Sequence, residues 1–157
     1  MKFLHIFGLA AAGLLAQAAA AQPAAKQMPL RHGLVLFACE TKAGQKISLK
    51  SVRRGSGYVL QFDGGKYTAA VPAGSAYFAY AANNDQISFD TGRHVYELVQ
   101  YHDGDARVEI TSSKTGREVQ IYDCWDKLTM RLDQVAPQYF RPYTDAWENY
   151  LQRRFLK

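Results

Sequence analysis

Two cysteines and two short loops hold the residues whose chemistry stands out. Cys39 and Cys124 bracket nearly every strand-like stretch of the 157-residue chain. Thiols that meet in an oxidising compartment become a disulfide, whereas a catalytic thiol needs a base partner and an exposed, electropositive setting. The pair reads as a structural bridge between the first and last strands; a free thiol and an intermolecular bond are the alternatives. Thr91, Gly92, Arg93 and His94 make a polar, basic tip. A guanidinium there can form charge-assisted bonds with carboxylates. Gly74, Ser75 and Tyr77 belong to a second loop, where aromatic side chains offer large contact area at little rotamer cost. Ordinary hairpin turns are the plain alternative for both loops.

Enzymatic chemistry finds little support. His94 and His102 share parity on one expected strand, but an ideal strand sets them about 26 Å apart, too far to share a metal. No zinc-binding helix motif, phosphate loop or nucleophile elbow occurs. Asp63, Asp85, Asp90, Asp103 and Asp105 fall at turns or strand ends, where carboxylates bond local amides. Glu97 stands within a strand and is the carboxylate whose burial would shift its pKa. The expectation is a protein without catalytic residues, cofactor or metal.

The ends of the chain set its surroundings. Lys2, an apolar stretch from Phe3 to Leu15, and Ala19-Ala20-Ala21 read as a cleavable export signal over residues 1–21. The stretch is too short for a membrane span, and no cysteine follows it to carry a lipid. The expected location is the periplasm or the exterior. A net charge of +5 points towards anionic partners, although modest mixed charge is also ordinary surface. A protein partner is expected, and nucleic acid is not.

Residues 22–33, with Pro23 and Pro29, read as a flexible leader. From 34 to 124 the pattern is strand-like. Ile47 and Leu49 alternate, as do Tyr58, Leu60 and Phe62, then Ile87 and Phe89, then Ala106, Val108 and Ile110. Turn signals such as Asp63-Gly64-Gly65 and Asp103-Gly104 separate the runs. The fold expected is all-β: an antiparallel barrel of seven or eight strands, with a sandwich as the alternative. Residues 125–157 read as a helical C-terminal extension. Leu128 and Leu132 lie four apart, and Trp147, Tyr150 and Phe155 recur at helical spacing after a cap at Asp145 with Glu148 in the capping-box position. That aromatic stripe either packs on the barrel or binds a partner, as in a periplasmic immunity or interaction protein that docks through its helical tail. A cavity lined by Tyr58, Phe62, Tyr96 and Tyr101 would instead suit a small-ligand carrier.

Phe37-Ala38-Cys39, then Gly44 with Ile47 and Leu49, then Gly74-Ser75-Ala76-Tyr77, then Phe89-Asp90-Thr91-Gly92 and a closing Cys124 form a connected pattern. In it, residues 34–124 resemble the periplasmic and membrane-bound inhibitors of c-type lysozyme, including the neisserial adhesin-complex type. The resemblance implies an exported β-barrel whose loops enter the catalytic cleft of a lysozyme or another periplasmic hydrolase. Here Thr91 stands where that family carries a lysine, Gly74-Ser75 reverses its Ser-Gly order, and Arg93 offers a cation one turn position on.

Overall fold

The computed structural model describes residues 28–80, 82–135, 137–142, 147 and 149–151. The expected export signal, the first half of the leader, Asp145, Glu148 and Phe155 lie outside the described residues. Nine antiparallel strands form where the sequence alternates: β1 (Leu34–Thr41), β2 (Lys46–Arg54), β3 (Gly57–Gly64), β4 (Tyr67–Pro72), β5 (Tyr77–Tyr80), β6 (Asn84–Asp90), β7 (His94–Tyr101), β8 (Ala106–Ser112) and β9 (Glu118–Met130). A two-residue β10 (Arg141–Pro142) adds in parallel to β5. The spatial order is β10-β5-β6-β7-β8-β9-β1-β2-β3-β4.

The closed barrel of seven or eight strands is not formed, and neither is a sandwich. The sheet curls into a half-barrel, and its antiparallel ends β4 and β5 stand 11 Å apart. Paired strands lie about 4.8 Å apart. Strand parity explains the opening. In an antiparallel order of nine, the two end strands run the same way, so closure would need β4 and β5 to pair in parallel. Parallel neighbours need a crossover of about a dozen residues or more. Only residues 73–76 join these two, through a 3-10 turn at Ala73–Ser75.

The helical extension is also corrected. β9 runs past Cys124 to Met130, pairing with β8 through its first half and β1 through its second. Register irregularities beside Glu40 let the long strand change partners. Pairing with β1 overrides the Leu128–Leu132 spacing, and Leu128 lies exposed on a strand. Beyond it, the described tail holds 3-10 turns at Leu132–Gln134 and Pro137–Tyr139 and a few helical residues from Trp147, but no substantial helix.

The concave face carries the core. Ile47, Leu49, Leu60, Phe62, Ile87, Phe89, Leu98, Val108 and Ile110 are all buried, as the period-2 pattern requires; Leu36 and Phe37 are buried side by side, where the β1–β2 register shifts. The tail adds Leu132, Val135 and Phe140 to the same cluster. The end of the expected leader joins it too: Leu30 is buried, and Met28 bridges to Val135. Cys39 and Cys124 form the disulfide, with Cα atoms 5.5 Å apart across 85 residues of chain. It ties β1 to β9, the two strands that join the halves of the sheet.

Candidate functional site

The register of β5 on β6 brings both sequence-identified loops together. Tyr77 pairs with Ser88. Stepping back from Tyr77 reaches Ser75 and Gly74, and stepping forward from Ser88 reaches Asp90 and Thr91, at the same end of the strand pair. The two loops differ in their freedom. Arg141 clasps the first: its backbone N–H donates to Ala76 O at 2.8 Å, its Nε to Gly74 O at 3.2 Å and its Nη1 to the Tyr77 hydroxyl at 3.4 Å. Ser75 Oγ donates to Pro72 O at 2.8 Å.

The second loop has a fixed backbone and an open side chain. Asp90 Oδ1 accepts from Gly92 N at 2.6 Å and from Ser113 Oγ at 2.7 Å. Thr91 Oγ1 accepts from His94 N at 3.1 Å, and Ser113 N donates to Arg93 O at 3.0 Å. Gly92 has φ +83°, a left-handed conformation that its missing Cβ permits. These bonds hold the tip rigid and leave the Arg93 side chain exposed.

A cleft of about 280 Å³ opens between this tip and the start of β4. Lys66, Tyr67, Arg93, His94 and Tyr96 line it, with no carboxylate among its lining residues. The His94 ring meets Tyr67 edge-on at 5.4 Å, and Lys66 Nζ stands 5.0 Å from the Tyr67 ring. Neither Lys66 nor Arg93 has an ion pair among the described residues. Burial pushes the Tyr96 phenol up, the nearby Tyr67 and Tyr122 add to this, and Arg93 opposes it. Lys66 and Tyr67 escaped the sequence reading because the curl of the sheet, not spacing along the chain, brings β4 to β7. Their only signal was a lysine beside the Asp63-Gly64-Gly65 turn.

The chain matches no family model, no curated protein and no solved structure.

The other sequence-identified residues lie apart from the cleft. Trp147 is buried against the outer face of β5 to β7, and Tyr150 donates its hydroxyl to Asp90. The Trp147 indole N–H donates to Glu97 Oε1 at 3.4 Å. Burial pushes the Glu97 carboxyl above the ordinary glutamate range, and the bond from Trp147 opposes that shift. The four residues considered for a carrier cavity do not share one. Phe62 and Tyr96 pack ring to ring at 5.1 Å in the core, Tyr58 meets Tyr139, and Tyr101 faces a surface cleft. Among the described residues, no group of three histidine, cysteine or acidic side chains is placed to hold a metal, and no helix is long and apolar enough to cross a membrane.

One pairing was not anticipated. Asp85, read as a turn residue, sits at the start of β6 with its side chain fully buried, and its Oδ2 lies 3.2 Å from His102 Nε2. Its Oδ1 has no partner among the described residues. Burial pushes this carboxyl up, His102 opposes the shift, and Asp133 reinforces it.

Proposed function

We propose that this chain is an exported, non-enzymatic interaction protein that grips an acidic group of a protein partner in the Lys66–Arg93–His94 cleft. One observation carries the reading: two unpaired cations and a histidine converge on a rigid concave site with no carboxylate in its lining. Two exposed cations with no competing carboxylate beside them favour charge-assisted bonds to an incoming carboxylate. The Cys39–Cys124 bond fits an oxidising compartment. The carboxylate-lined cleft of a c-type lysozyme is one such target. The tail aromatics support the site from behind, because Trp147 and Tyr150 pack on the strands that carry the tip.

The test presents immobilised protein and its Lys66→Glu/Arg93→Glu variant to an envelope extract supplemented with c-type lysozyme. Salt-sensitive retention of a partner by the wild type, lost in the variant, is the expected result. Equal retention by both sinks the reading. Lysis of cell walls by lysozyme, measured with and without micromolar protein, decides whether that enzyme is the target.

A further inference from the structure

Strand β4 is an edge, and its hydrogen-bonding pattern can be read from its turn. Gly65 and Lys66 form a two-residue hairpin turn, closed by the pair Gly64↔Tyr67. In such a hairpin the closing pair exchanges backbone bonds, and bonded and non-bonded pairs then alternate. Phe62↔Ala69 and Leu60↔Val71 therefore bond, while Asp63↔Thr68, Gln61↔Ala70 and Val59↔Pro72 do not. Pro72 confirms the phase, since a residue without an N–H belongs in the outward series. Thr68 and Ala70 thus direct both N–H and C=O away from β3, on the unpaired side of β4. No described residue bonds these groups from the other side.

An unpaired edge is a template for one more strand. Across the opening between β4 and β5, the free side of β5 already shows that mode, where Arg141 and Pro142 add beside Tyr77 and Phe78. The β4 edge begins at the basic cleft: Lys66 precedes Tyr67, and Arg93 and His94 face it. We propose that an extended acidic segment of a protein partner adds to β4 as a strand, with main-chain bonds to Thr68 and Ala70 and a carboxylate seated between Lys66 and Arg93. Charge complementarity selects an acidic occupant, and Pro72 limits the added strand to the first part of β4. This rests on the cleft reading above and specifies the form of the group it takes.

The probe is an N-acetylated Val-Glu-Val-Glu-Val-Glu amide, with two counterparts of equal charge, N-methylated on the valines or on the glutamates. Binding is followed by NMR titration and amide hydrogen exchange on the full chain. The parent peptide is expected to bind with micromolar affinity and to slow exchange at Thr68 and Ala70. One counterpart, the one that blocks the paired edge, is expected to bind roughly tenfold more weakly or worse. Ala70→Pro, which removes an outward N–H and leaves the β3 pairing intact, is expected to weaken the parent peptide equally. If that variant does not fold, the methylated peptides carry the decision alone. Equal binding by all three peptides, without protection at Thr68 and Ala70, overturns strand addition and leaves the cleft reading standing. Absence of binding by every peptide overturns it too. Indifference of peptide binding to Lys66→Glu/Arg93→Glu overturns the carboxylate seat between those two residues and the cleft reading with it.

Discussion

The rings of Tyr77 and Trp147 lie with centroids 4.7 Å apart. One comes from a loop suited to reaching a partner, the other from a tail suited to the same task, and each occupies the other. Trp147 also stacks on Tyr150 at 5.3 Å and bonds Glu97. The pair covers the outer face of β5 to β7, where Ser88 is fully buried. This mutual burial divides the two loops. The first is held by the chain's own tail, and the tip with Arg93 remains open.

Trp147→Ala removes that cover. Truncating a fully buried tryptophan costs about 3 kcal/mol or more. Urea denaturation should show this loss, and proteolysis should reach the tail at lower urea than in the wild type. The chain has two tryptophans, and Trp125 is 71% exposed. Acrylamide should therefore quench Trp125 readily and Trp147 poorly. A stability change under about 1 kcal/mol, with equal quenching of both residues, would show that the indole does not pack on the sheet.

Much of this was legible in the sequence, and the boundary is instructive. Every alternating run became a strand, because period-2 burial is a local property. Leu49, Leu60 and Ile110 sit in the core where parity puts them. The disulfide was legible because the two cysteines bracket the strand-like region, where pairing of the first and last strands brings them together. Barrel closure was not, since it depends on strand parity and on a connection too short to cross over. The tail misled for another reason: Leu128 and Leu132 fit helical spacing, but β1 offered an edge that β9 extended to fill. The cleft was half visible. Arg93 and His94 announced themselves as a basic tip, whereas Lys66 and Tyr67 join them only through the curl.

Stability should fall as pH rises through the titration of Glu97. Burial raises its folded-state pKa above the ordinary value of 4.5. The folded chain then holds this proton to higher pH than the unfolded chain does, so the contribution is full below 4.5 and is lost as pH rises through the folded value. Glu97→Gln keeps an acceptor for the Trp147 indole and removes the buried charge. The variant should gain about 1 kcal/mol at neutral pH and show a shallower decline above pH 4.5. An unchanged pH profile would indicate that solvent reaches the carboxylate.

The disulfide closes 85 residues. Chain-entropy arguments give a loop of that length about 4–5 kcal/mol. Cys39→Ala/Cys124→Ala should lose stability on that scale, measured by denaturant unfolding against the oxidised wild type. The variant should keep its β-sheet circular dichroism, because β1 still pairs with both β2 and β9. A loss under about 1 kcal/mol would mean that strand pairing alone restrains the unfolded ends.

Asp85 and His102 provide the sharpest test of the interior. The carboxylate is fully buried, one oxygen faces His102 Nε2, and the other has no partner among the described residues. His102→Ala would strip the remaining contact from a buried charge, which costs roughly 1–3 kcal/mol. Without the opposing His102, burial and Asp133 would raise the Asp85 pKa further. The deficit of His102→Ala should accordingly grow as pH rises above the ordinary aspartate value of 3.8 and shrink in acid. Asp85→Asn removes the charge, so adding His102→Ala to it should cost little. The resulting double-mutant cycle should report a coupling of about 1–2 kcal/mol at neutral pH that fades in acid. Strict additivity at neutral pH would show that the two side chains do not interact, and would return Asp85 to the role of a simple strand-end residue.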